Sequence, residues 1–178
     1  MITIGNDIGL NTNAIVVCEI IDEITEGTEN KLKIIDYYFQ DLSKKELKRQ
    51  ISDGNKFKIL DDQYKKIFNT YSKYDLIYCY EKPIMNGKVG GDLNGVVALL
   101  KMNLYEFKVP EDRIIPVNPQ TLKKDITGYG NCVKKDMLFN IKQKEDILNN
   151  VAYLSILNND HLVDALCCCY YSYKNHLI

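Results

Sequence analysis

Two runs rich in isoleucine and valine, residues 2–8 and 14–21, are separated only by Gly9-Leu10-Asn11-Thr12-Asn13. β-Branched side chains favour extended backbone, and a short connection of turn-forming residues brings two such runs back against each other. The chain therefore opens with an antiparallel hairpin. Leu32, Ile34 and Ile35 within Lys31 to Phe39 suggest a third strand. From Ser43 to Tyr74 the apolar period becomes helical, with Leu47 and Ile51 four apart and Leu60, Tyr64, Ile67, Phe68 and Tyr71 at three and four spacing. Asp53-Gly54-Asn55 is expected to break this stretch in two.

Asp75 to Tyr80 reads as a fourth strand, and Pro83, Asn86-Gly87 and Gly90-Gly91 make the next stretch a loop before a helix from Asp92 to about Phe107. Arg113 to Val117 is expected as a fifth strand. Asn118-Pro119 has the composition of a helix start, with Asn capping and Pro in the first turn, and Thr127-Gly128-Tyr129-Gly130 ends that helix. Two further helices are expected, about Val133 to Asn149 and Asp160 to Asn175. The implied fold class is α/β: a five-stranded mixed sheet, three antiparallel strands then two parallel, flanked by helices on both faces.

At 178 residues, 46% apolar and 26% charged, the chain suits a single domain spanning 1–178. It has no uncharged apolar stretch long enough for a membrane span and no basic segment leading into an apolar signal core, so an intracellular, cytoplasmic protein without a membrane partner is expected. Its six cysteines form no C-x-x-C pair, which argues against a zinc ribbon and for reduced core residues. Net charge is −1, but residues 101–144 carry nine Lys or Arg against five Asp or Glu. That local excess suits either a solvated helical surface or a nucleic-acid contact.

Three acids stand where a backbone can aim them inward. Asp7 lies in the first apolar run, Glu81 ends the run Leu76 to Tyr80, and Asp164 opens the stretch Ala165 to Tyr171. Burying a carboxylate costs several kcal/mol unless a partner compensates, and a divalent cation does so well. An Asp on a central strand beside a Glu at the end of its neighbour can hold two magnesium ions, an arrangement suited to phosphodiester cleavage. In Asp160-His161-Leu162-Val163-Asp164, positions 161 and 164 share one helical face and can reach one metal. The alternatives are plainer. Asp160 caps a helix with His161 at the surface, Asp7 is hairpin polarity, and Glu81 is a strand-ending charge.

Taken in order, "IGNDIGLNTNAIVV", "YEKP", "VNPQTLKKDITGYGNCVKKDM" and "HLVDALCCC" resemble the RuvC-type Holliday junction resolvases, over nearly the whole chain and most specifically from Pro119 to Met137. The resemblance implies an RNase H-like fold and a homodimer that nicks two opposing strands of a four-way DNA junction with two Mg2+ ions per site, Mn2+ substituting. By position, Asp7, Glu81 and Asp164 match the family's acidic ligands, and His161 falls where many members have Asp and some His. Lys123 and Lys134 match lysines implicated in DNA binding near the scissile phosphate, with Lys134 in the catalytic set and Lys124 and Lys135 able to extend the contact. Ile84 and Met85 stand where the family often has an aromatic residue acting on bases at the junction centre, and Asn6 stands where most members are apolar. Residues 87 to 100 resemble the segment through which protomers pair.

The expectation is thus a junction-resolving endodeoxyribonuclease leaving 5′-phosphate and 3′-hydroxyl ends. Its alternatives are an RNase H-like nuclease acting on flaps, forks or structured RNA, and a non-catalytic protein that binds DNA structures. The Asp7-Ile8-Gly9 turn also fits actin-like ATPases, but those need a second such domain.

Overall fold

The computed structural model describes residues 1–21, 31–43, 51–83 and 90–176. Five strands, β1 (Ile2–Asp7), β2 (Thr12–Ile21), β3 (Lys31–Asp41), β4 (Leu76–Glu81) and β5 (Ile114–Val117), form one sheet in the order β3-β2-β1-β4-β5. β1 pairs antiparallel with β2, and β2 with β3, whereas β4 runs parallel to both β1 and β5. This is the mixed sheet expected from the sequence.

The apolar runs of β1 and β4 are continuous rather than alternating because both faces of the sheet are covered. On one face Ile2, Ile4, Ile15, Val17 and Tyr78 pack against α1 (Asp53–Tyr71) and α2 (Gly90–Glu106). On the other, Ala14, Val16, Cys18, Ile77 and Cys79 pack against α3 (Pro119–Thr127), α4 (Lys134–Lys142), α5 (Val151–Ile156) and α6 (Asp160–His176). All six cysteines are free and buried, as expected of small core residues. No described helix is long and apolar enough to cross a membrane.

One close approach sets the position of α6. A Cβ on Gly5 would collide with the Ala165 carbonyl oxygen and lie 2.7 Å from the Cys169 amide nitrogen. Glycine lets the helix backbone rest directly on the central strand. Beside it Thr3 Oγ1 and Ser172 Oγ share a hydrogen bond of 2.6 Å.

Two local expectations are corrected, and one of the plainer alternatives is set aside. Asp53-Gly54-Asn55 does not break a helix but forms the first turn of α1, capped by Ser52 Oγ accepting from the Asn55 amide at 3.3 Å; the segment 44–50 lies outside the described residues. The single helix expected over 133–149 stops at Lys142. Beyond it the backbone pairs with β3 instead, Leu32 N donating to Asp146 O at 2.8 Å and Leu148 N to Leu32 O at 2.9 Å, so tertiary hydrogen bonds replace helical ones. The cap of α6 is Asn159, whose Oδ1 accepts from His161 N at 3.0 Å and Leu162 N at 3.2 Å, leaving Asp160 as the first helical residue.

Candidate active site

Asp7 and Glu81 are the last residues of two neighbouring parallel strands, one step beyond the Asn6–Tyr80 pair. Strand alternation turns Asp7 to the same face as Gly5, and Glu81 to the same face as Cys79, beneath α6. Asp164 and His161, three residues apart on the first turns of α6, come down on this edge. β5 ends beside Glu81, with Lys82 N donating to Val117 O at 2.8 Å. Asn118 Oδ1 then caps α3 by accepting from Gln120 N at 2.9 Å, and Pro119 opens it. Lys123 is thereby carried toward Glu81, and Lys134 opens α4.

The four ligand-type residues and two lysines form one electrostatic cluster. His161 Nδ1–H donates to Asp7 Oδ2 at 2.6 Å, and Lys134 Nζ lies 3.0 Å from Asp164 Oδ2. The Asp7 and Asp164 side chains are only 21% and 16% exposed. Burial, then repulsion from Asp7 and Asp164, pushes the Glu81 carboxyl up to about 7 against the pull of Lys123 and Lys134. Asp164 is raised by burial and by Asp7, with Lys134 opposing. His161 is raised chiefly by its hydrogen bond to Asp7. Burial works against the charge on Lys134, but Asp164 outweighs it and the group is raised.

Glu81 and Asp164, both raised by burial and by the Asp7 carboxylate beside them, mark a place short of positive charge. Hard oxygens with one imidazole nitrogen suit a divalent ion in chemistry. As the side chains stand, however, no three His, Cys, Asp or Glu among the described residues converge closely enough to hold an ion. Asp7 Oδ2 is turned to His161 and Asp164 Oδ2 to Lys134, so in this arrangement one oxygen of each carboxylate is engaged by a neighbouring side chain.

Lys124 and Lys135 are exposed on α3 and α4 next to the cluster, whereas Ile84 and Met85 lie outside the described residues. Asn6, unexplained by sequence, is fully buried, its Nδ2 donating to Tyr78 Oη at 2.8 Å and Tyr64 Oη at 3.2 Å. Phe39, which sequence reasoning passed over, stacks on His161 with ring centroids 6.0 Å apart. Its only sequence signal is an aromatic on a strand that alternates Tyr37 and Phe39 to one face.

No protein-family model and no curated protein matches the chain. Solved structures do. The Thermus thermophilus RuvC structure superposes with a TM-score of 0.68 at 13% identity, covering 98% of this chain and 96% of that one. This chain has the fold of RuvC-type Holliday junction resolvases. The yeast mitochondrial Holliday junction resolvase Ydc2 matches with a TM-score of 0.56 at 15% identity, over 94% of this chain and 75% of its own. The Fowlpox virus resolvase, in a complex with substrate Holliday junction DNA, matches with a TM-score of 0.56 at 16% identity over 100% of both chains. In this RuvC-type fold the acidic edge lies at the carboxyl ends of β1 and β4, where mixed α/β sheets commonly place their sites.

Proposed function

We propose that this chain is a metal-dependent endonuclease that resolves four-way DNA junctions. The observation that carries the reading is the meeting of Asp7, Glu81 and Asp164, from β1, β4 and α6, at one sheet edge with Lys123 and Lys134 facing them. Solved structures of the same fold include T. thermophilus RuvC and the Fowlpox virus resolvase in complexes with Holliday junctions. Asp7, Glu81, His161 and Asp164 would hold the metal, Mg2+ with Mn2+ as substitute. When bound, two such ions supply a nucleophile from water at neutral pH and charge neutralisation at the departing oxygen.

The chain's own residues do the rest. Lys134 and Lys123 offset the charge of the scissile phosphate, with Lys124 and Lys135 extending the contact along the backbone. Burial of Asp7 and Asp164 keeps bulk water from competing. Water displaces the 3′ oxygen from phosphorus, leaving a 5′-phosphate and a 3′-hydroxyl. Two such sites related by a twofold axis are needed for symmetric nicks, which makes a homodimer part of the proposal.

The test is incubation of the purified protein with a synthetic four-way junction, a flap, a fork, a structured RNA and a linear duplex, each with Mg2+, Mn2+ or chelator. Paired nicks in the junction, lost with chelator and in Asp7→Asn, are expected. Equal cutting of flaps and forks would replace junction resolution with a broader branched-DNA activity. Binding without cutting in either metal would leave a structure-binding protein.

A further inference from the structure

Register across the sheet puts Asp7, Ala14 and Phe39 in one row: Asp7 pairs with Ala14 on β2, and Ala14 pairs with Phe39 on β3. Directly paired residues project to the same face, here the one covered by α6. Ala14 is fully buried, so the row has a large side chain at either end and only a methyl group between them. Adjacent strands lie about 4.8 Å apart, which leaves a gap roughly 10 Å wide between the outer two. His161 descends into that gap from the first turn of α6. Its ring lies 6.0 Å from that of Phe39 with the planes 22° apart, and its Nδ1 meets Asp7 Oδ2 at 2.6 Å.

The contacts on the two sides differ in kind. The hydrogen bond to Asp7 sets which nitrogen faces the carboxylate, but one bond leaves the imidazole free to swing about it. The ring of Phe39 on the other side, its plane within 22° of the imidazole, favours one orientation of that plane over the others. The backbone beneath is already held, since Asn159 Oδ1 accepts from His161 N and Leu162 N. With Nδ1 committed to Asp7, Nε2 is the one nitrogen left for a ligand. Phe39 remains 40% exposed on an edge strand, so it contributes little to the core that a smaller apolar residue would not.

We infer that Phe39 is a positioning residue, clamping the His161 imidazole over Ala14 and against Asp7 so that a single nitrogen is presented to the reaction. The inference rests on the nuclease reading of this site. A leucine at 39 keeps apolar bulk but offers no plane to stack on, and a tyrosine restores the plane.

The test joins NMR of the two histidines with cleavage kinetics. In Phe39→Leu the His161 ring proton resonances move as the ring current of Phe39 is lost, while those of His176, whose ring lies tilted against Tyr171, stay in place. Single-turnover cleavage of a four-way junction falls on the order of tenfold, with junction affinity in chelator unchanged. Phe39→Tyr recovers most of the rate. Unmoved His161 resonances, or a Tyr variant as slow as the Leu variant, would overturn the clamp. A wild-type protein that cuts no branched DNA would overturn the nuclease reading instead, so the two failures are read separately.

Discussion

Lys134 Nζ lies 3.0 Å from Asp164 Oδ2, which makes the first residue of α4 the counter-ion of a carboxylate on α6. The lysine side chain is 52% exposed and the aspartate 16%, so the pair sits at the mouth of the acidic corner. A cation placed there can pass from the carboxylate to an incoming phosphate without being desolvated twice.

Lys134→Met should therefore slow cleavage more than it weakens binding. Loss of one group that meets transition-state charge typically costs about 100-fold in rate. Removal of one phosphate contact lowers the slope of log affinity against log salt by about one. Single-turnover rates and a salt titration of junction binding measure both. A variant that binds poorly yet cuts normally once saturated would make Lys134 a docking residue only.

The raised Glu81 carboxyl predicts how the metal-free protein responds to pH. A pKa of about 7 in the fold, against about 4.3 in an unfolded chain, means that the native state holds the proton more tightly. The resulting stability is full below the unfolded value and is lost as pH rises through the folded one. Without divalent metal, the melting temperature should fall between pH 5.5 and 8.5, and Glu81→Gln should remove about 5 °C of that fall. Magnesium should raise melting more at pH 8.5 than at pH 5.5, because deprotonated carboxylates hold it. Thermal melts across pH, with and without magnesium, test each part, and identical pH profiles for wild type and Glu81→Gln would refute it.

Gly5→Ala probes the seating of α6. The added Cβ meets helix backbone, the Ala165 carbonyl and the Cys169 amide, rather than a side chain that can turn away. Overpacking of this kind costs roughly 1–3 kcal/mol and here must lift the helix that carries His161 and Asp164. Urea unfolding should show the loss of stability, and metal-dependent cleavage should fall further than stability alone accounts for. An unshifted urea midpoint would mean that α6 sits farther from β1.

The fold class and the site were legible to different depths. Asp7, Glu81, Asp164 and His161 stood out because each carries a local signature: a charge ending an apolar strand, or two polar residues three apart opening an apolar helix. Asn118-Pro119 declared its helix start for the same reason. Features that depend on distant pairing stayed hidden. The helix expected over 133–149 ends early because Asp146 and Leu148 bond to Leu32, and nothing within the segment announces that. Phe39 becomes a neighbour of His161 only through two successive registers, Asp7 with Ala14 and Ala14 with Phe39. The start of the last helix at Asp160 was legible, and only the plainer alternative, with Asp160 as its cap, misses by one residue between two good capping types.

Asn6 offers a test of what a buried polar group does on the face away from the site. Its amide donates to Tyr78 and Tyr64, Tyr64 Oη in turn donates to Asn13 Oδ1 at 3.4 Å, and Asn6 Oδ1 has no protein partner. Asn6→Leu would leave two buried hydroxyls without this donor and should cost about 1–3 kcal/mol for each group left unsatisfied. Tyr64 keeps its bond to Asn13, so adding Tyr78→Phe to Asn6→Leu removes the hydroxyl that has lost its partner, and the double variant should be more stable than the sum of the single losses predicts. Strict additivity in urea unfolding would show that the amide and the hydroxyl act independently and that Asn6 is held there for some other reason.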